Sequence, residues 1–218
     1  MAYQNLKSNG MPKGERVDAL TLCELNAIKE YLYKTNIRDW AWFVLNINMG
    51  LRASDLFNLK WDDVISYSSN NNEYKVYEVI KVLEGKTNKP RTLELNAVCQ
   101  EVISIYLNYI LNNKKTIPTI KLSDYMFKSR KGSKGISYKA AHAILNRAAQ
   151  NVGINKVVTN VGTHSMKKTF GKALYDKGTP VAIIQDLFNH KEERVTLRYI
   201  GVSKQMIRDA YRNLNLGM

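Results

Sequence analysis

The chain carries one tyrosine and several cations whose types and spacing suit chemistry on a phosphodiester. Thr163-His164-Ser165-Met166-Lys167-Lys168 sets His164 and Lys167 three positions apart, so on a helix they project from one side. His190 stands 26 residues after His164, and Tyr199 nine further on, within Thr196-Leu197-Arg198-Tyr199-Ile200-Gly201. Upstream, Gly50-Leu51-Arg52-Ala53-Ser54-Asp55-Leu56 offers a guanidinium. Breaking a phosphodiester without a metal needs a nucleophile, cations on the non-bridging oxygens, and an acid for the leaving oxygen. A phenol and a set of cations could fill those roles. Tyrosine attack would conserve the phosphodiester energy in a phosphotyrosyl bond, so resealing would need no ATP. Singly, each residue is a weak signal: a lone His is more often structural, and a helical Tyr more often core or rim.

Other chemistries find less support. The three histidines, His142, His164 and His190, have no carboxylate constellation beside them, so neither a metal site nor a cofactor is expected. No glycine-rich phosphate loop occurs. Cys23 and Cys99 each lie in an apolar-periodic segment and read as buried free thiols of a reducing compartment rather than a disulfide.

Charge points to the partner. Against 19 Asp and Glu stand 33 Lys and Arg, a net charge of +14, which favours a polyanion through counterion release and steering. The competing reading is a merely solubilising basic surface. Clustering argues against it: from Met126 to Lys177 there are eleven basic residues and one acid, Asp176. Arg130, Lys131, Lys134 and Lys168 are the candidate phosphate contacts, with double-stranded DNA the expected partner. RNA suits the chain less well, for want of a stacking platform or RNA motif. No apolar run approaches the roughly 20 residues of a membrane span, and the polar N-terminus lacks a secretory signal. The expected location is cytoplasmic, at the nucleoid.

The elements that must position these residues are mainly helical. Residues 1–17 read as a flexible arm, and 18–218 as one domain with a short sheet in its N-terminal third. Thr21-Leu22-Cys23-Glu24 fits a capping box opening a helix to about Tyr33. A second helix spans Arg38–Met49, closed by Gly50, and a short one covers Ser54–Asn58. The period then changes: Trp61–Ile65, Glu73–Leu83 and Arg91–Leu95 predict a small three-stranded antiparallel sheet. Asn96 should cap a long helix with Val98, Val102, Ile105, Tyr106, Tyr109 and Ile110 on its apolar face, and Pro118 bars its continuation. Further helices are predicted over Ser137–Val152, Thr163–Lys177, from Thr179-Pro180 to about Asn189, over Val195–Ile200 and over Lys204–Leu214.

Taken together, the motifs resemble those of the tyrosine recombinases, the phage integrase family. The resemblance covers about residues 20–205 and rests on Gly-Leu-Arg-x-Ser-Asp-Leu, the Gly85-Lys86-Thr87-Asn88-Lys89 hairpin, Thr-His-Ser-x-x-Lys-Thr-Phe, Asn189-His190 and Thr-Leu-Arg-Tyr-Ile-Gly, in that order. It implies an α+β catalytic domain that cleaves and religates DNA without a metal. It implies Tyr199 as the nucleophile of a 3′-phosphotyrosyl link and Arg52 as a clamp on the non-bridging oxygens. It implies Lys86 as general acid for the 5′-oxygen, with nearby Lys89 the competing position. His164 would assist proton handling at Tyr199, and His190 would hydrogen-bond the phosphate.

Lys167 departs from the pattern, because the family usually has a second arginine there. Lysine keeps the charge but loses the bidentate fork, which predicts a weaker transition-state clamp. A tolerated variant, a slower enzyme and a decayed or altered site all fit, the first two better, since the other positions are intact. A second departure is that only about 20 residues precede Thr21, too few for the family's separate DNA-gripping domain. A short recombinase resembling the fimbrial-switch invertases, a partner-dependent protein and a fragment remain open, and a start at Met1 leans towards the first. The amphipathic segment Lys204–Leu214 docks either on its own domain or on a neighbouring protomer. The family resemblance implies a four-protomer synapse on DNA, and a monomer in free solution. The rival functions are a degenerate, non-cleaving DNA-binding module and a topoisomerase-like nicking–resealing enzyme.

Overall fold

The computed structural model describes residues 19–86, 88–112, 120–130, 132–154, 161–202, 204–214 and 217. The expected arm at 1–17, Pro118, Lys131 and Lys156, and the side chain of Ile207, lie outside the described residues.

Helix α1 (Leu22–Thr35) opens on the predicted capping box: the Thr21 hydroxyl accepts the Glu24 N–H, and the Glu24 carboxylate accepts the Thr21 N–H. Helix α2 (Ile37–Met49) starts where the Asn36 side chain accepts the Asp39 N–H at 3.1 Å. Most of α2 is buried, including Trp42, Phe43 and Leu45, as expected of a helix that is apolar on nearly every side. It is the hub against which α1, the helix α4 (Ala97–Asn112) and the helix α6 (Thr163–Asp176) pack. Gly50 ends α2 at φ +60, where a Cβ would also approach the Phe170 ring to 2.4 Å. Glycine is therefore required there both by backbone conformation and by space. Directly after it come Arg52 and the short helix α3 (Ala53–Phe57).

The mainly helical α+β class stands, but the sheet is divided. Instead of one three-stranded sheet there are, among the described residues, two antiparallel pairs, β1 (Ile65–Ser68) with β2 (Glu73–Val76) and β3 (Val79–Glu84) with β4 (Lys89–Glu94). The segment Glu73–Leu83 is broken at Tyr77-Glu78. There the Tyr77 N–H donates back to the Val64 carbonyl at 3.0 Å, while the Glu78 carbonyl accepts the Leu95 N–H at 2.7 Å. Trp61–Asp63 forms a 3-10 turn rather than strand, because the Asp63 carboxylate takes the Lys60 N–H at 2.7 Å.

Helix α4 is capped by Asn96, whose side chain accepts the Cys99 N–H at 2.9 Å. Its buried face is Cys99, Val102, Ile103, Tyr106 and Leu107, whereas Val98 and Tyr109, expected inside, are 46% and 47% exposed. The helix is apolar on more than one side, and the packing partner selects which stripe is buried. Cys99 is a buried free thiol as expected; Cys23 is also free but exposed, facing outward on α1.

After a basic loop, α5 (Tyr138–Asn151) is capped by Ser137, and α6 is followed by Gly178. Helix α7 (Val181–Phe188) has Pro180 rather than Thr179 at its cap, with no side-chain capping bond. Thr179 instead closes α6, donating its N–H to the Leu174 carbonyl at 3.0 Å. Helices α8 (Glu193–Ile200) and α9 (Lys204–Asn213) follow. A large core is built from α1–α5, the strands and the first turn of α6; a smaller one, centred on Ile184, Phe188 and Ile200, joins α6, α7 and α8. Helix α6 runs between them, Met166 in the first and Phe170 against the second. Gly171 lets α6 and α7 close, since a Cβ there would meet the Phe188 ring at 2.7 Å. On α9, Tyr211 is 80% exposed and Leu214, just beyond its end, 65% exposed.

Candidate active site

Arg52 occupies the N-cap position of α3, where Gly50 and buried Leu51 bring the chain out of α2; the Asn46 side chain holds the Leu51 carbonyl at 3.1 Å. Its Nη1 donates to Glu84 Oε2 at 2.8 Å and lies 3.8 Å from Asp55 Oδ2. Glu84 is the last residue of β3 and points inward, in phase with Ile80 and Val82. Asp55 secures the turn that follows, its Oδ1 accepting the Gly85 N–H at 3.1 Å. Asn189 Nδ2 reaches Glu84 Oε2 at 3.4 Å, and Arg91 Nη1 stands 3.6 Å from Glu84 Oε1. One buried carboxylate thus ties α3, the β3–β4 hairpin and the end of α7 together.

Helix α6 contributes His164 and Lys167, as the spacing predicts. Both line a cleft of about 100 Å³ with Arg52, Ala53, Ser54, Tyr138 and Thr163. A larger groove of about 420 Å³ between α1, α2, α4 and α6 holds none of the candidate residues. Lys167 is 4% exposed, and its Nζ sits 4.6 Å from the centre of the Phe188 ring. Burial, then the charges of Arg52 and Arg91, lower its ammonium to a pKa of about 8, with Glu84 and Asp55 opposing. His164 stands at the exposed mouth of the cleft. Partial burial, then Lys167, Lys168, Arg52 and Lys86, hold its imidazole below its ordinary pKa.

His190 follows the left-handed Asn189 at the end of α7. Its N–H donates to the Gln185 carbonyl, its own carbonyl accepts from the Gln185 side chain, and its Nδ1 lies 3.0 Å from the buried Thr196 hydroxyl. Burial, then Lys167 and Arg52, bring its pKa to about 4, so the ring is neutral at pH 7. Tyr199, on α8, is half-buried, its ring 5.0 Å from His190 and 5.7 Å from Phe188. Burial raises its phenol, which Arg52 partly offsets.

The remaining candidates are more peripheral. Lys86 is exposed on the β3–β4 turn, close enough for its charge to act on His164; Lys89 is exposed opposite Glu84 at the start of β4. Arg130 and Lys134 are exposed on the basic loop, which is pinched where the Ser129 N–H donates to the Lys134 carbonyl. Lys168 is half-buried on α6. The parts played here by Glu84, Arg91, Phe188, Asn189 and Thr196 are not legible in the sequence. The signal for Glu84 was a carboxylate in the inward phase of a strand. Among the described residues, no three His, Cys, Asp or Glu side chains gather as a metal cluster, and no helix is long and apolar enough to cross a membrane.

The profile of the phage integrase family matches residues 17–206. The "Probable integrase/recombinase YoeC" of Bacillus subtilis is 32% identical over 193 residues, covering 88% of this chain and 93% of that one. The tyrosine recombinase XerC of Staphylococcus aureus is 27% identical over 191 residues, which span 84% of this chain but 58% of XerC. The crystal structure of the XerA recombinase superposes with a TM-score of 0.67 at 21% identity, over 93% of this chain and 66% of that one. The XerH site-specific recombinase, in a post-cleavage complex with its difH substrate, does so with a TM-score of 0.64 at 19% identity, over 91% and 54%. These likenesses establish the fold.

Proposed function

The chain belongs to the phage integrase family, and from that premise we propose that it recombines double-stranded DNA at specific sites, cutting and rejoining through Tyr199. The observation that carries this reading is one of convergence. Arg52, His164 and Lys167 share a cleft, while Tyr199 rests on His190 within the electrostatic reach of Arg52.

The Tyr199 oxygen attacks the phosphorus, a phosphotyrosyl bond forms to the 3′ side, and the bond to the 5′-oxygen breaks. His164, neutral at pH 7 because its pKa lies below the ordinary value, is suited to take the phenol proton. The leaving 5′-oxygen takes a proton from Lys86 on its exposed turn. Arg52 and Lys167 carry the charge that builds on the non-bridging oxygens; apart from Nη1, the N–H groups of Arg52 make no hydrogen bond among the described residues. His190 donates its remaining ring N–H to the phosphate when the Thr196 hydroxyl donates to Nδ1. Attack by the freed 5′-hydroxyl reverses the sequence and reseals the strand without a cofactor.

Arg130, Lys134 and Lys168 provide backbone contacts that position the duplex. The exposed Tyr211 and Leu214 fit docking of the α9 segment on a neighbouring protomer in a four-protomer synapse, with a monomer in free solution. The match to XerC spans 58% of that longer recombinase. The test is a set of nicked suicide duplexes drawn from the DNA on either side of the gene. The expected product is a covalent protein–DNA adduct that Tyr199→Phe abolishes. Adduct formation by Tyr199→Phe would refute the assignment, and binding without any adduct would favour the non-cleaving alternative.

A further inference from the structure

Arg91 faces Val82 across the β3–β4 ladder, so it shares the inner face with Glu84, diagonally one pair away. Its Nη1 reaches Glu84 Oε1 at 3.6 Å, while Oε2 of the same carboxylate accepts Arg52 at 2.8 Å. Two guanidinium groups therefore divide one buried carboxylate. Both Nη1 and Nη2 of Arg91 are buried without a hydrogen-bond partner. A position needed only for packing would be served better by an apolar side chain, as Leu93 serves on the same face, because guanidinium nitrogens buried without hydrogen bonds are costly.

We propose that Arg91 is a positioning residue for the cleavage reaction: by sharing the charge of Glu84 from the Oε1 side it keeps Arg52 attached through Nη1 alone and leaves the rest of that guanidinium for the DNA phosphate. The inference rests on the reading of Arg52 as the phosphate clamp. Without Arg91, the charge of Glu84 is no longer divided between these two guanidinium groups and pulls harder on Arg52. Arg52 is then drawn towards Glu84 and away from the cleft. Loss of Arg91 also removes one cation beside Lys167. That ammonium faces Arg52 and Asp55 from α3, Glu84 and Arg91 from the hairpin, His190 beyond α7, and His164 on its own helix.

The experiment uses the full chain and the nicked suicide duplex, following the single-turnover rate of adduct formation at saturating protein, and DNA affinity separately, from pH 6 to 9. Arg91→Gln should slow adduct formation about tenfold at pH 7, within the range of coupling in one ion-pair network, and move the alkaline limb to higher pH. Adding Glu84→Gln to Arg91→Gln should recover most of that loss, since the neutral amide no longer captures Arg52. Arg91→Lys should stay within about threefold of the parent rate because it keeps the charge. The proposal is overturned by a parent-like rate in R91Q, by additive losses in the double variant, or by an unmoved alkaline limb, which is what a merely structural arginine predicts. Should R91Q fail to fold by circular dichroism, R91K carries the test: retention of rate and limb supports the proposal, and a loss as large as that of E84Q overturns it. If the parent protein forms no adduct at all, the cleavage reading fails separately. The same ordering of variants in equilibrium DNA binding then decides the role of Arg91.

Discussion

The ammonium of Lys167 lies 4.6 Å from the centre of the Phe188 ring, and among the described residues no carboxylate pairs with it. Around it, the permanent cations Arg52 and Arg91 share the carboxylates of Glu84 and Asp55. The site thus holds more positive charge than its own carboxylates balance, and a phosphate diester entering it would redress the excess. Burial first, and then that imbalance, brings the pKa of Lys167 down to about 8.

Lys167→Arg should accelerate adduct formation on the suicide duplex, and the gain should widen from pH 7 to pH 9. Lysine loses its charge across that interval, whereas a guanidinium keeps it and adds a second donor. Equal rates for the two proteins at pH 9 would exclude Lys167 as the weak point of the clamp.

Lys167→Met should abolish cleavage yet raise the melting temperature at pH 7. The folded-state pKa of about 8 lies below the ordinary 10.5, so between these values the unfolded chain binds more protons. The buried ammonium therefore costs stability, about 3 kcal/mol at pH 7 by the usual conversion, and the cost fades as pH rises through 8 towards 10.5. Melting curves at pH 7 and pH 10 should show the advantage of the variant shrinking; an advantage that grows with pH would contradict this account.

Thr196→Val removes the hydroxyl that lies 3.0 Å from His190 Nδ1. Adduct formation should fall roughly fivefold, equivalent to about 1 kcal/mol, with DNA affinity unchanged. Because His190 has a pKa of about 4, its titration should leave no inflection in the rate between pH 5.5 and 8. An inflection near pH 6.5 that vanishes in His190→Gln would refute the neutral-ring role.

Arg130→Ala together with Lys134→Ala should weaken DNA binding for all sequences alike. The slope of log affinity against log salt should flatten by about 1 for each lost phosphate contact. A slope unchanged in the double variant would place the basic loop off the DNA.

Short-range signals are legible in the amino-acid sequence by itself. The Thr21–Glu24 box, the Gly50 stop, the Ser137 cap and the shared side of His164 and Lys167 each depend on residues within four positions of one another, and each appears as expected. The order of the family motifs singles out Tyr199, Arg52 and His190 as candidates. Tertiary structure decided what depends on a distant partner. The break at Tyr77-Glu78 follows from which neighbour each half-strand bonds, and the buried stripe of α4 and the outward turn of Cys23 follow from where α2 lies. The charge balance is the clearest case. Glu84 meets Arg52 across 32 residues and Asn189 across 105, and Arg91 joins them only through strand register. A sequence shows that a carboxylate occurs on a strand; only the packed chain removes it from water, and that burial makes its pairing with Arg52, Arg91 and Asn189 consequential.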